Sequence, residues 1–171
     1  NIARAAGYSG TGPYFVPNIH VDSFCVYTNH PVGGAMRGFG MPEIHFGIEQ
    51  HIDVMAHKLG LDPVQVRLKN CLKDGDETLT GMIMHPTGLS QCISKAAEAV
   101  GWGQPSAPAG PHKVRGKGLA AMWKAPAMPP NPGSSALVRL NEDGTATVSI
   151  GGVDIGQGAL TAMAQFAAEG L

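Results

Sequence analysis

The residues whose types and spacing could do chemistry fall in two short glycine runs. Residues 33–40 read GGAMRGFG and residues 151–158 read GGVDIGQG, so eight of the 24 glycines occupy sixteen positions. A flexible linker of that density would be rich in Ser or Gln. These runs carry Met, Arg, Phe, Val and Ile instead, and read as shaped loops. A glycine loop that opens a helix presents free backbone N–H groups and the positive end of the helix dipole, a cradle for phosphates and other anionic groups. Arg37 is the one charge in the first run. Its guanidinium can bind an anionic or carbonyl-rich group in bidentate fashion, or take a surface ion pair. Phe39, between Gly38 and Gly40, either offers a flat face to an aromatic substrate or anchors a core. Gln157, between Gly156 and Gly158, can both donate and accept. Neither run is a standard nucleotide fingerprint: GxGxxG is absent, as is the lysine of a phosphate-binding loop.

Other residues offer less. His45, His51 and His57 are spaced six apart on one predicted helix, about 600° per step, so they point in three directions and cannot share a metal. HExxH is absent, and no metal held by side chains of this chain is expected. Glu43, Glu49 and Asp53 share that helix and read as solvated or structural groups. Cys25, Cys71 and Cys92 are odd in number and form no CxxC pattern. This argues against a disulfide framework and a cysteine-bound cluster, and suits buried, reduced thiols in a cytoplasmic setting. No GxSxG elbow or Cys/His nucleophile pattern is present.

The elements that must position these residues follow from periodicity. Residues 16–27 (VPNIHVDSFCVY) are β-branched and aromatic and predict a strand leading to the first glycine loop. From Pro42, Ile44, Ile48, Ile52, Met55 and Leu59 recur at three- and four-residue steps, predicting an amphipathic helix closed by Gly60. A shorter helix begins at Pro63, and a third runs through Leu89, Cys92, Ile93, Ala96 and Val100. Residues 101–116 (GWGQPSAPAGPHKVRG) have no apolar period and predict a linker between two lobes. Beyond it, LAAMWKA and SSALVRLN read as strands, Asp143-Gly144 as a hairpin turn into TATVSIGG, and a helix from about Ala159 shows Leu160, Met163, Ala164 and Ala167 on one face.

Bulk properties narrow the class. The 171 residues are 43% hydrophobic and only 15% charged, with 12 Lys+Arg against 13 Asp+Glu. That composition supports a real core and gives no basic field for nucleic acid or an anionic membrane. No apolar run approaches the roughly 18 residues of a membrane span. The lack of an initiator Met and a last residue within a helical pattern suggest a piece of a longer chain. The fold class these elements predict is α+β, with mixed strands, amphipathic helices and glycine-rich loops.

The run YTNHPVGGAMRGFGMPEIHFGIEQHIDVMAHKLGLDPVQVRLKN and, downstream, GGVDIGQGALTAMAQFAAE resemble the molybdenum-binding (large) subunit of the xanthine dehydrogenase and aldehyde oxidoreductase family. The resemblance covers essentially all 171 residues. It implies a fragment of a two-lobed molybdopterin-binding domain: the C-terminal part of a first lobe over 1–100, the linker over 101–116, and the N-terminal part of a second lobe over 117–171. It further implies a molybdenum hydroxylase that oxidises an sp² carbon of an N-heteroaromatic or aldehyde substrate with oxygen from water. The molybdenum would be carried by molybdopterin or its cytosine dinucleotide form, held between the glycine loops of the two lobes. Electrons would leave to iron–sulfur clusters and FAD on other domains or subunits of an oligomeric assembly. By motif position, Arg37, Gly38, Gly156 and Gln157 match cofactor-contacting residues, and Phe39 matches the aromatic that stacks on ring substrates. Arg4 lies about one residue from where purine-oxidising members place a substrate-orienting arginine.

The departures are also informative. Those members carry a second aromatic where this chain reads KAPAMPPNPG, which argues against a purine. RGFGMPE departs from the form typical of carbon monoxide dehydrogenases. The family's general base is a glutamate C-terminal to this segment, and an upstream FG-containing cofactor loop is absent from it, so the segment alone is not expected to turn over. From the residues alone, a non-catalytic module for a phosphate-bearing ligand and a purely structural fragment remain the alternatives.

Overall fold

A computed structural model describes residues 2–34, 36–124 and 133–171. Five helices, α1 (Ile2–Tyr8), α2 (Met41–Leu59), α3 (Pro63–Asn70), α4 (Leu89–Ala99) and α5 (Ala159–Gly170), accompany two strands, β1 (Ala136–Leu140) and β2 (Ala146–Ile150). The mixture of helices with a small sheet has the α+β character that the sequence predicts. The chain forms two compact units, 1–125 and 126–171. Composition places a linker at 101–116, yet the residues after it still pack on the first unit. Ala121 is buried there, its N–H donates to Glu49 Oε2 at 2.9 Å, and Lys117 Nζ donates to the carbonyls of Gly101 and Gln104.

The helix boundaries have local causes. Gly60 caps α2 in the left-handed region at φ 67°, with its N–H on the last carbonyls. The Asp62 side chain accepts from Gln65 N at 2.9 Å and opens α3, with Pro63 in its first turn. Burial alone would raise the Asp62 pKa, but the Trp102 indole N–H and the backbone N–H groups of Gln65 and Val64 hold it below the ordinary carboxylate range. In the second unit β1 and β2 pair antiparallel around the turn at Asp143-Gly144, with Val138 opposite Val148. Gly144 takes φ 82° there.

The core of the first unit gathers Tyr14, Ile52, Val64, Cys71, Ile93, Ala97 and Ala121. A polar centre runs through it. Arg67 on α3 is fully buried; its Nε donates to Glu49 Oε2 at 2.7 Å, Nη1 to Asp53 Oδ1 at 2.7 Å and Nη2 to the Glu49 carbonyl at 3.0 Å. Tyr14 donates to Glu49 Oε1 at 2.6 Å. Burial, reinforced by the Glu49 carboxylate, drives the Tyr14 pKa far above its ordinary value, so the phenol stays a donor.

Four expectations are corrected. Residues 16–27 form no strand: Phe24, Val26 and Tyr27 are 81%, 72% and 104% exposed, and the stretch pairs with no neighbour among the described residues. β-Propensity measures fit to a half-buried pleated surface, and that surface is lacking here. Residues 119–124 likewise form no strand and run along the first unit; Ala125, the last residue of LAAMWKA, lies outside the described residues, as do 126–132 of KAPAMPPNPG. The buried positions of α2 are Met41, His45, Glu49, Ile52 and Ala56, so the buried face shares only Ile52 with the apolar stripe that the spacing marks. Ile44, Ile48, Ile52 and Met55 also line an open cleft of about 560 Å³, beside which Ile48 packs against the core. The cysteines are free, but only Cys71 is buried, whereas Cys25 and Cys92 are exposed. Helix α1 is an element the sequence did not reveal.

Arg67→Met leaves the Glu49 carboxylate buried without its cation. In the full-length polypeptide it should cost about 3–5 kcal/mol, read as a lowered urea midpoint for the first unit, while a change at solvent-exposed Lys58 moves that midpoint little.

Candidate functional site

The first glycine loop enters α2 through three consecutive left-handed residues. Gly38, Phe39 and Gly40 have φ of 108°, 51° and 107°, and Phe39 is the one non-glycine residue with positive φ among those described. For a residue with a Cβ this costs about 1 kcal/mol or more. The flanking glycines are required sterically. A Cβ on Gly38 would meet the Pro42 ring at 2.7 Å, and one on Gly40 would collide with the Ile2 carbonyl of α1. The turn is closed by Phe39 N donating to Met36 O at 2.7 Å. The backbone thus holds the Phe39 ring outward, 45% exposed, with Lys124 Nζ over it at 5.6 Å from the centroid.

The expected cradle of free N–H groups at this helix start is mostly consumed. Met41 N donates to Gly38 O, Pro42 has no N–H, and Ile44 N donates to Gly40 O. Arg37, the one cation of this loop, is exposed and has no carboxylate partner among the described residues. Arg4 is on α1, the helix that packs against Gly40, and its guanidinium lies 5.8 Å from the Tyr8 ring centroid. The first unit therefore brings the element carrying Arg4 against the loop carrying Arg37, Gly38 and Phe39. Of the two clefts along α2, neither includes Arg37 or Phe39 among its lining.

The second loop is built differently. Gly156 and Gly158 take φ of 103° and 77°, and α5 starts without a side-chain cap at Gly158. The donors are gathered by Asp154, whose Oδ1 accepts from Gly156 N at 2.7 Å and Oδ2 from Leu160 N at 3.4 Å. The N–H of Gly156, followed by those of Leu160, Ala159 and Gly158, outweighs the small desolvation and holds the Asp154 carboxyl below its ordinary range. The loop and helix start thus already bind an anionic oxygen pair. Gln157 braces the same loop: Oε1 accepts from Ile155 N at 2.8 Å and Nε2 donates to Val153 O at 2.9 Å.

Asp154 and Lys124 escaped the sequence reading. An Asp two residues before a glycine and a few before a helix is a recognisable side-chain turn signal. The Lys124–Phe39 approach joins positions far apart in sequence and leaves no local trace. Among the described residues no three His, Cys, Asp or Glu side chains converge as metal ligands.

Residues 1–71 and 93–171 each match a family model described as a molybdopterin cofactor-binding domain. The chain belongs to that molybdopterin-binding family, as found in the molybdenum-binding subunits of xanthine dehydrogenases and aldehyde oxidoreductases. It is 38% identical over 149 residues to the xanthine dehydrogenase molybdenum-binding subunit of Escherichia coli O157:H7, covering 84% of this chain and 20% of that one. It is 41% identical over 88 residues to the nicotinate dehydrogenase large molybdopterin subunit of Eubacterium barkeri, covering 51% and 21%. The aldehyde oxidoreductase structure from Desulfovibrio gigas superposes with a TM-score of 0.52 at 32% identity, covering 86% of this chain and 16% of that one. The chain thus spans about a fifth of the length of the relatives it matches.

Asp154→Ala should speed amide hydrogen exchange at Gly156 and Leu160. Because the folded-state pKa of Asp154 lies below its unfolded value, the wild-type protection is complete above the ordinary carboxylate range and is lost as pH falls through the folded-state pKa. Exchange that ignores both the substitution and the pH would rule the cap out.

Proposed function

We propose that this chain is the cofactor-binding part of a molybdenum hydroxylase that oxidises an sp² carbon of an N-heteroaromatic or aldehyde substrate, with water as the oxygen source. The observation that carries the reading is the second loop, where the backbone N–H groups of Gly156 and Leu160 already hold the Asp154 carboxylate. That donor set suits the anionic groups of a molybdopterin or of its cytosine dinucleotide form. When bound, the cofactor supplies the redox-active metal and the oxygen-transfer chemistry, which no side chain of this segment can provide.

The chain's own residues bind and orient. Arg37, carried on a loop stiffened by Gly38 and Gly40, supplies a mobile cation beside the backbone. Gly156 allows close approach of the main chain, and Gln157 exchanges its internal bonds to Ile155 and Val153 for polar atoms of the cofactor. Phe39 presents its ring to a substrate ring, and Arg4 orients a polar substituent from α1. Electrons pass to iron–sulfur and flavin carriers on other domains or subunits, within a cytoplasmic oligomer. The proton-abstracting glutamate belongs to a part of the polypeptide beyond this segment.

Elemental and pterin analysis of the purified full-length gene product tests the reading. Molybdenum with a pterin at near one per polypeptide is the expected result; absence of both returns the chain to a phosphate-ligand module or a structural role. Arg37→Ala and Gln157→Ala should each lower molybdenum occupancy without shifting the thermal midpoint of cofactor-free protein, and full occupancy in both variants removes the two side chains from the cofactor site.

A further inference from the structure

We infer that Lys124 sets substrate choice, favouring aromatic rings that carry an anionic substituent such as a carboxylate. The inference rests on the reading of Phe39 as the stacking partner of the substrate ring. The left-handed turn at Gly38, Phe39 and Gly40 fixes that ring at the surface, and the Lys124 ammonium stands 5.6 Å from its centroid. Such an exposed cation–π contact is a weak hold on the ammonium. Lys124 is itself exposed and has no carboxylate within ion-pair distance among the described residues. A flat ring laid on Phe39 displaces the ammonium toward its rim, where the tethered charge meets whatever substituent the ring bears.

The surrounding charges point the same way. Arg37 lies two residues before Phe39, and Arg4 is on the helix packed against Gly40, while Glu43 in the first turn of α2 is the nearest acidic residue along the chain. Carboxamide and carboxylate differ little in shape, so steric fit cannot separate them. An unpaired ammonium can, because a carboxylate gains an ion pair that an amide cannot form.

The test uses the full-length, molybdenum-loaded enzyme and two probes of one shape, pyridine-3-carboxylate and pyridine-3-carboxamide, with dissociation constants from calorimetry. Wild type should bind the carboxylate about tenfold more tightly than the amide. Lys124→Met should erase that ratio, Lys124→Arg should keep it, and added salt should shrink it. A wild type that binds neither probe or shows no preference, or a Lys124→Met enzyme that retains the preference, overturns the assignment. Phe39→Leu separates the two layers. Weakening of both probes by the same factor supports stacking; wild-type affinity for both overturns the stacking reading, whatever Lys124 does to the ratio.

Discussion

The first unit is organised around one buried carboxylate. Glu49 receives the guanidinium of Arg67 from α3, the phenol of Tyr14 from the segment before α2, and the backbone N–H of Ala121 from far downstream. A carboxylate removed from water is tolerated only when its lone pairs are filled, and each donor here comes from a different stretch of chain. Removing any of these donors leaves a charged acceptor partly unmet in a low-dielectric interior. The requirement ties α2, α3, the 14–15 segment and residues 117–124 to one geometry, and it brings Lys124, three residues after Ala121, to the Phe39 ring. The polar centre therefore reaches the candidate site through the backbone it fixes.

The two glycine runs look alike in sequence and do different physical work. In the first, glycine serves clearance and handedness: Gly40 admits the backbone of α1, and Gly38 leaves room for Pro42. The N–H groups there are mostly satisfied internally. In the second, glycines free the backbone to turn its N–H groups inward on a carboxylate. A ligand anion at that loop would have to displace Asp154 or sit beside it.

Much of this was legible along the chain. Gly60, Pro63, Asp143-Gly144 and the step pattern of 89–100 gave element boundaries because capping and turn chemistry are local. Helix α1 left no clear mark: seven residues are too few to form a helix alone, and IARAAGY is held by docking against Gly40. The strand expected at 16–27 failed for the converse reason, since pairing is a property of a partner as well as of a sequence. On α2 the apolar stripe misdirected. Polar His45 and Glu49 face inward while Met55 and Leu59 are 46% and 71% exposed, because Arg67 lies almost twenty residues away and its claim on Glu49 cannot be seen in the helix itself. The glycine runs were informative as a pair, and the difference between them appears only in three dimensions.

The uncovered stretch at 16–34 has a bearing on how such a polypeptide reaches its final state. The helices α2, α3 and α4 make contacts between near neighbours and can form early. The stretch carries Phe24, Val26, Tyr27 and Val32 in solvent and forms no strand among the described residues. Until some other surface covers it, a run of exposed apolar side chains of this kind favours intermolecular association.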